Sequence, residues 1–215
     1  MRAVLIAAKE LAFAKTRLAS VLPPEEREML AEAMFRDVLA AALSSRSADL
    51  VAVVTSDARL QKLACTGGAV SIDEQFPRGL NVALALATAR LVEQGAECVC
   101  TVLSDIPMIT GSDIDAALAA MPAQREAVVL VPSRDFSGTN VIVRSPADIV
   151  PTQFGRLSLV RHLDDCRRRG VACEVIRLPR PALDLDVPAD LYEFVRSAST
   201  THTLNQLLRL GIAHH

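Results

Sequence analysis

The stretch Cys98-Val99-Cys100-Thr101-Val102-Leu103-Ser104-Asp105-Ile106-Pro107 decides the fold class of this 215-residue chain. Its first six residues form a nearly continuous apolar run, which is typical of a strand buried on both faces of a parallel sheet. Pro107 prevents the strand from continuing. We therefore predict a buried strand over Cys98–Leu103, with the carboxylate of Asp105 just beyond its carboxyl end.

Short apolar runs and helical patterns alternate in both directions from this stretch. Further strands are predicted at Ala3–Ala8, Leu50–Thr55, Val128–Val131, Val141–Val143 and Cys173–Leu178. Apolar residues at helical spacing predict helices at Pro24–Leu43, Leu80–Leu91, Ser112–Met121, Ser158–Arg169, Pro188–Ala198 and Thr203–Leu210. This alternation implies parallel strands with helices on both faces. We predict an α/β fold, a three-layer α/β/α sandwich around a mostly parallel, doubly wound sheet.

The chain has no linker, repeat or low-complexity segment. We predict a single domain over residues 1–198, followed by a C-terminal extension over residues 199–215. The extension carries the short helix Thr203–Leu210, whose packing the sequence leaves open, and ends in His214-His215, to which we assign no function.

The composition excludes several classes of protein. Apolar residues make up 51% and charged residues 22% of the chain, and the formal net charge is -2, so a disordered chain and a general binder of nucleic acids or membrane surfaces are disfavoured. No run approaches the roughly 18 apolar residues of a membrane span. The five cysteines include no C-x-x-C pair, which favours reduced thiols in a cytoplasmic protein. The oligomeric state stays open.

A basic loop follows the first predicted strand and contains Lys9, Lys15 and Arg17. Ligands of doubly wound sheets bind beyond the carboxyl ends of the strands, and three cations there suit the phosphates of a nucleotide. The loop has no G-x-x-x-x-G-K-[ST] and no G-x-G-x-x-G, which disfavours a P-loop NTPase and a standard dinucleotide fold. A G-x-S-x-G serine elbow is also absent from the sequence. On spacing alone, a solvated charged loop is an equal alternative.

Asp105 is the first candidate metal ligand. Thr110 and Asp113 have the spacing of a capping pair for the next helix, so Asp105 is not needed as that cap. Magnesium typically takes one or two protein carboxylates and completes its shell with water and phosphates. For Asp105 taken alone, a turn-forming role is the favoured alternative.

A second acidic site lies in Asp184-Leu185-Asp186-Val187-Pro188-Ala189-Asp190. In an extended chain Asp184 and Asp186 share a face, while Asp190 can bond the free amides of the helix that begins at Pro188. The alternative is a loop charge at Asp184 and a helix-dipole interaction at Asp186. With Asp105, we predict a Mg2+ site that serves nucleotidyl transfer, because chemistry at phosphorus needs charge neutralisation and in-line positioning.

Two turns rich in small residues, Phe136–Asn140 and Phe154–Ser158, are candidates for binding a phosphate or carboxylate. Glycine lets a backbone approach a ligand closely, and the helix predicted to begin at Ser158 attracts anions. Thr139 and Ser158 add hydroxyls. Each turn taken alone is more simply an ordinary turn or cap, and a structural role is the commoner explanation for the nearby His162.

In this order and at these intervals, the motifs resemble the 2-phospho-L-lactate guanylyltransferases and their phosphoenolpyruvate-using relatives (CofC/FbiD), within the wider molybdenum-cofactor-guanylyltransferase-like fold. The resemblance spans roughly residues 3 to 195. Its motifs are Lys9 with Ala14–Leu18, Glu26-Arg27, Met34–Val38, Gly79-Leu80-Asn81, Ser104–Pro107, Gly138-Thr139-Asn140, Phe154-Gly155 with Ser158 and His162, and Asp184–Leu191. Ala7, Ser137 and Val187 depart from the residues that the family often has there, namely Pro, Gly and Thr.

The resemblance implies a nucleotide-diphospho-sugar-transferase-like fold. It also implies transfer of GMP from GTP to a small phosphorylated carboxylic acid, with release of pyrophosphate, in the biosynthesis of the deazaflavin coenzyme F420. The expected Mg2+ ligands are Asp105, Asp184 and Asp186, and the expected acceptor-binding residues are Thr139, Asn140, Gly155 and Ser158. The nucleotide is expected at Lys9, Lys15, Arg17 and Asn81, with Asp105, Lys15 and Arg17 in catalysis.

The acceptor and two alternatives stay open. Phosphoenolpyruvate and 2-phospho-L-lactate are favoured over 3-phosphoglycerate on family prevalence, and Ser137 borders the expected acceptor pocket. One alternative is a nucleotidyltransferase of the same fold with a molybdopterin or sugar phosphate acceptor, although the glycine-rich first loop usual in those proteins is absent here. The other is a non-catalytic nucleotide-binding paralogue, which the retention of all three carboxylates disfavours.

Overall fold

The structure is a computed structural model, and it describes residues 1–74, 78–122, 126–197 and 200–212. The strands are β1 (Arg2–Ala7), β2 (Leu50–Thr55), β3 (Val70–Asp73), β4 (Cys98–Leu103), β5 (Ala127–Pro132), β6 (Thr139–Ser145) and β7 (Ala172–Val175). The α-helices are α1 (Pro24–Leu43), α2 (Ala58–Gly67), α3 (Leu80–Glu93), α4 (Gly111–Ala119), α5 (Ser158–Arg169), α6 (Pro188–Ser197) and α7 (His202–Arg209). Two short 3-10 turns, Leu11–Phe13 and Thr16–Leu18, lie between β1 and α1.

The strands form one sheet in the order β3-β2-β1-β4-β6-β5-β7. Only β6 runs antiparallel to its neighbours in that sheet, β4 and β5; the remaining pairs are parallel. The reason is the short connection between β5 and β6, since a hairpin joins antiparallel strands whereas parallel strands need a long crossover. The predicted α/β class with a mostly parallel sheet is confirmed.

Three apolar clusters hold the layers together. Alternate residues of β1 face opposite sides, so Val4 and Ile6 pack against α1, α2 and α4, while Ala3 and Leu5 pack against α3 and α5. A third cluster joins α6 and α7 to Leu30 and Met34 of α1 and to Leu18 of the second 3-10 turn. The helices therefore cover both faces, as the three-layer prediction requires.

The C-terminal helix α7 packs on α1, which answers the question its sequence left open. The Asp37 carboxylate accepts hydrogen bonds from the backbone amides of His202 and Thr203 and from the Thr203 hydroxyl. Leu207 of α7 is fully buried in the third cluster. The predicted domain boundary at 198/199, the predicted helix end at Ala198 and His214-His215 lie outside the described residues.

Several element boundaries differ from the prediction. α2 and β3 were not predicted, and β3 is a four-residue edge strand in which only Ile72 is buried. β7 ends at Val175 and not at Leu178, since it pairs only with β5. Thr139 and Asn140, which the sequence assigned to a turn, are the first residues of β6.

The predicted caps are confirmed. Thr110 and Asp113 form a capping box at the start of α4. Asp190 accepts hydrogen bonds from the backbone amides of Asp186 and Val187 at the start of α6. Within the described residues, no helix is both long enough and apolar enough to cross a membrane.

Candidate functional site

An open cleft of about 910 Å³ lies at one edge of the sheet, where β1 and β4 end and the antiparallel β6 begins. This location follows from topology, because the carboxyl ends of parallel strands meet at one edge. The predicted site residues that line the cleft are Lys9, Lys15, Arg17, Asp105, Thr139, Asn140, Gly155, Ser158, Asp184 and Asp186.

Lys15 stands at the centre of the charged part of the cleft. Its ammonium nitrogen donates to Asp105 Oδ2 and to Asp186 Oδ1, each at 2.8 Å, and its side chain is only 8% exposed. Its backbone is left-handed (φ 52°), a conformation that is costly for a non-glycine residue. Burial disfavours the ammonium, but Asp105 and Asp186 outweigh burial and raise the pKa of Lys15.

Asp105 has one carboxylate oxygen engaged and one available. Oδ2 accepts from Lys15, whereas Oδ1 is buried and has no hydrogen-bond partner among the described residues. An unpaired buried acceptor is costly and marks a place where a ligand or ion can bind. The backbone carbonyl of Asp105 accepts from the Leu185 amide at 3.1 Å, which joins the acidic segment to the end of β4.

The acidic segment alternates as predicted although it forms no strand. Leu183 and Leu185 are buried in the third cluster, and Asp184 and Asp186 face the cleft between them. Burial, and then the neighbouring Asp105, raise the pKa of Asp184. For Asp186 burial acts in the same direction, but Lys15 outweighs it and the pKa is lowered.

The carboxylate oxygens of Asp105, Asp184 and Asp186 are the kind of ligand that a divalent cation such as Mg2+ prefers. Asp105 contributes a buried oxygen without a partner among the described residues, and Asp184 is a half-buried carboxylate whose pKa is raised by burial and then by Asp105. Among the described residues, no three His, Cys, Asp or Glu side chains are grouped as a metal site, since Lys15 lies between Asp105 and Asp186. The magnesium site stays a prediction.

The buried side chains of the other part of the cleft are uncharged and include two hydroxyls, and we call it the neutral part, although the exposed Arg156 also lines the cleft. The Thr139 amide donates to Ser158 Oγ at 2.8 Å, and Thr139 Oγ1 lies 3.0 Å from His162 Nδ1. Thr139 is 1% and Ser158 2% exposed, yet both line the cleft. His162 is fully buried, and burial, followed by Arg144, lowers its pKa to about 4, so its imidazole is neutral at pH 7.

Asn140 connects the two parts. Its side-chain amide donates to the Pro181 carbonyl at 2.9 Å and to Asp184 Oδ1 at 3.4 Å. Successive strand residues point to opposite faces, so Thr139 faces α5 and Asn140 faces the acidic segment. One dipeptide at the start of β6 therefore contacts both parts of the cleft.

Asn81 does not line the cleft. Its side-chain amide donates to the Phe154 carbonyl at 3.0 Å and accepts from the Phe154 amide at 2.8 Å. It thereby supports the turn that contains Gly155, whose φ of 118° suits glycine. The predicted contact between Asn81 and a nucleotide stays a prediction.

Sequence reasoning predicted the second half of the loop between β5 and β6, within the turn Phe136–Asn140, but missed Ser133, Arg134 and Asp135, which also line the cleft. Ser133 Oγ donates to Asp135 and accepts from the Gly138 amide at 2.8 Å. Arg134 forms ion pairs with Asp190 and Glu193 of α6. Ser133 directly follows β5. Candidate site residues were sought just after the other strands, so the same search after β5 would have found Ser133.

Comparison with known proteins agrees with this architecture. The family model for "Guanylyl transferase CofC like" proteins matches residues 1–215. A phosphoenolpyruvate guanylyltransferase of Sphaerobacter thermophilus is 36% identical over 190 residues, which cover 88% of this chain and 90% of that protein. A 3-phospho-D-glycerate guanylyltransferase of Phenylobacterium zucineum is 36% identical over 197 residues, which cover 90% and 89%.

The fold is that of nucleotidyltransferases. A crystal structure from Desulfovibrio desulfuricans G20, assigned to the nucleotide-diphospho-sugar transferases, superposes with a TM-score of 0.74 at 19% identity and covers 98% of this chain and 95% of that one. At this identity the likeness concerns the fold alone. The family match along the whole length, together with the two relatives, shows that the chain belongs to the CofC-like guanylyl transferases.

Proposed function

We propose that this enzyme transfers GMP from GTP to the phosphate of a small phosphorylated carboxylic acid. An oxygen of the acceptor phosphate bonds to the α-phosphorus of GTP. The bond between the α-phosphorus and the oxygen that bridges it to the β-phosphorus breaks, and pyrophosphate leaves with that electron pair. The product joins guanosine and the acid through a new diphosphate linkage.

The observation that carries the proposal is the contact of one dipeptide with two unlike parts of a single cleft. Thr139 belongs to the hydroxyl part and Asn140 to the carboxylate part, so two ligands bound there would lie side by side. Transfer between two bound substrates needs this proximity.

We assign the GTP phosphates to the charged part. Lys9, Lys15 and Arg17 follow β1, and Arg17 Nη1 already lies 3.4 Å from Asp186 Oδ2. In this assignment Lys15 and Arg17 stabilise charge on the α-phosphate and on the departing pyrophosphate, which is the main requirement for catalysis at phosphorus. Asp105 orders Lys15 by accepting a hydrogen bond from its ammonium nitrogen.

We further propose that Asp105, Asp184 and Asp186 hold Mg2+. When bound there, the ion would supply neutralisation of the triphosphate charge. The support is the unpartnered Asp105 Oδ1 and the raised pKa of Asp184.

We assign the acceptor to Thr139, Gly155 and Ser158. Their hydroxyls and backbone, with the first free amides of α5, suit a small anion that offers little apolar surface. We assign Asn140 a positioning role at this pocket, because its side-chain amide nitrogen is already bonded to the Pro181 carbonyl and to Asp184.

Phosphoenolpyruvate and 2-phospho-L-lactate are the acceptors we propose, which places the reaction in the biosynthesis of coenzyme F420. The relative that is named for 3-phosphoglycerate has the same identity to this chain as the one named for phosphoenolpyruvate, so 3-phosphoglycerate belongs in every assay. The free cysteines favour a reducing compartment, and we propose the cytoplasm.

The test is pyrophosphate release from GTP and Mg2+, measured with each of the three acids and with no acid. We expect release that needs an acid, and a product with the mass of GMP joined to that acid. Thr139→Ala should lower kcat/KM for the acid about tenfold or more, since it removes a hydrogen bond to a charged group. Thr66→Ala, on the exposed part of α2, is the matched control.

Two outcomes would overturn the proposal. Release that requires a sugar phosphate or molybdopterin, and not a phosphoacid, would favour another nucleotidyltransferase of this fold. Binding of GTP without release for any acceptor would favour a non-catalytic paralogue.

A further inference from the structure

The buried ring of His162 has only one neutral protonation pattern that satisfies its neighbours. The Gln153 backbone amide donates to His162 Nε2 at 2.8 Å. A backbone N–H can only donate, so Nε2 must carry the lone pair. The single ring proton then lies on Nδ1, and Nδ1 donates to Thr139 Oγ1 across their 3.0 Å separation.

The same assignment of hydrogen-bond donors and acceptors applies to Ser158, the second hydroxyl of the pocket. Ser158 Oγ accepts from the Thr139 amide at 2.8 Å. Each hydroxyl thus accepts one hydrogen from the protein and keeps its own hydrogen to donate, and neither has an acceptor for that hydrogen among the described residues. Both residues line the cleft, although they are almost fully buried.

The ring is held in this orientation by more than its two hydrogen bonds. Phe154 packs against it edge to face, with 5.5 Å between the ring centroids and 78° between the planes. Gln153 and Phe154 directly precede Gly155, and His162 lies one turn beyond Ser158 on α5. A single side chain thereby joins β6, the Gly155 turn and α5.

We propose that His162 is a positioning residue for acceptor binding, because its Nδ1–H occupies a lone pair of the Thr139 hydroxyl and directs the hydroxyl hydrogen towards an anionic oxygen of the acceptor. The proposal rests on the assignment of the acceptor to this pocket. It also defines the ligand class: a pair of oriented donors binds a deprotonated phosphate or carboxylate oxygen best, since hydrogen bonds to ionised acceptors are the stronger ones.

Nitrogen NMR of the protein labelled at histidine tests the protonation pattern without any assay of activity. The His162 signals, identified by their loss in His162→Gln, should show a protonated Nδ1 and an unprotonated Nε2 at pH 7. Titration with phosphoenolpyruvate should shift the Nδ1 signal. A protonated Nε2 would overturn the inference, whether or not the enzyme accepts a phosphoacid.

Two variants separate positioning from mere packing. Substitution by Asn places an amide donor near the Nδ1 position, so it keeps the hydrogen bond to Thr139 and loses the one from Gln153. Substitution by Gln places an amide oxygen near the Nε2 position, so it keeps the hydrogen bond from Gln153 and loses the one to Thr139. We expect His162→Gln to raise KM for phosphoenolpyruvate tenfold or more while KM for GTP changes less than twofold, and His162→Asn to recover most of that loss. Equal effects of the two variants on both substrates would indicate a structural role and overturn the proposal.

A double-mutant cycle completes the test. In a Thr139→Val background the hydroxyl that His162 orients is gone, so His162→Gln should add less than twofold to KM for phosphoenolpyruvate. Independent, multiplicative effects of the two substitutions would contradict the proposal. If no phosphoacid is turned over at all, the proposed function fails, and the NMR titration still decides the role of His162.

Discussion

The two parts of the cleft are built on opposite physical principles. In the charged part, Lys15, Asp105 and Asp186 form a network of 2.8 Å ion pairs that sits partly in solvent. In the neutral part, Thr139, Ser158 and His162 are almost fully buried and carry no formal charge at pH 7. Ligand binding in the charged part should depend on the balance of charge, and ligand binding in the neutral part on the direction of its hydrogen bonds.

This difference separates the two kinds of substrate group. A triphosphate carries several negative charges, which ammonium and guanidinium groups can neutralise. A three-carbon acid has few atoms by which it can be distinguished, so fixed donors are the better means of recognition. Substitutions in the two parts should accordingly change different kinetic constants.

The largest effect is expected at Asp105. Asp105→Asn keeps the shape of the side chain but removes the negative charge that orders Lys15 and that we assign to metal binding, so kcat should fall by about two to three orders of magnitude. Steady-state pyrophosphate release with both substrates saturating measures it. Asp164→Asn, on the exposed face of α5, is the matched control. Turnover near wild type in Asp105→Asn, and likewise in Asp184→Asn and Asp186→Asn, would refute the charged part as the catalytic one.

Lys15→Ala should reduce kcat/KM for GTP about a hundredfold. The change removes a phosphate contact and leaves Asp105 and Asp186 without their shared cation. Initial rates at varied GTP and fixed phosphoacid give the constant, with Lys62→Ala on the exposed surface of α2 as the control. A change confined to KM for the phosphoacid would mean that the two parts have been assigned to the wrong substrates.

The neutral part should make stability depend on pH through His162. Its pKa is about 4 in the folded protein against an ordinary 6.5, so between these values the unfolded chain binds a proton that the folded protein does not. The free energy of unfolding should therefore fall as the pH drops from 6.5 towards 4, by about 2 kcal/mol from this residue at pH 5. Urea unfolding of wild type and His162→Gln at pH 7.5 and pH 5 isolates this contribution. An equal loss in both proteins would show that His162 is not the source.

The smallest effect, a change in KM of a few-fold at most, is expected at Asn81. It shows which part of the cleft Asn81 supports. Asn81→Ala frees the Phe154 backbone next to Gly155, so KM for the phosphoacid should rise more than KM for GTP. Both constants come from the same assay, and Gln61→Ala on α2 is a control of similar chemistry. A rise in KM for GTP alone would instead favour the nucleotide contact that the sequence predicts for Asn81.

Much of the charged part could be predicted from the sequence, because each of its residues follows a strand or precedes a helix. Asp105 was found from a strand end, and Asp184 and Asp186 were found once Asp190 was recognised as the residue that bonds the first amides of α6. Sequence did not reveal that Lys15 bridges two of these carboxylates, since Lys15 and Asp186 are 171 positions apart. Only the fold determines such a distance.

The neutral part was harder to predict. Thr139 and Asn140 were assigned to a turn because Ser137 and Gly138 are typical turn residues, but the pairing of Thr139 with Pro132 of β5 extends β6 back to Thr139. His162 gave only the pattern of a structural residue on a helix, and its contact with Thr139 depends on how α5 packs against the sheet.

By itself the sequence determined the α/β class, the mostly parallel sheet, the edge of that sheet at which chemistry is expected and the carboxylates that stand there. These follow from local periodicity and from the rule that ligands bind beyond strand ends, which need no knowledge of packing. The tertiary structure decided the pairing of Lys15 with Asp105 and Asp186, the tautomer of His162 and the role of Asn140 between the two parts of the cleft. Each of these depends on hydrogen bonds between residues of different structural elements, and only the packed fold brings such groups within hydrogen-bonding distance.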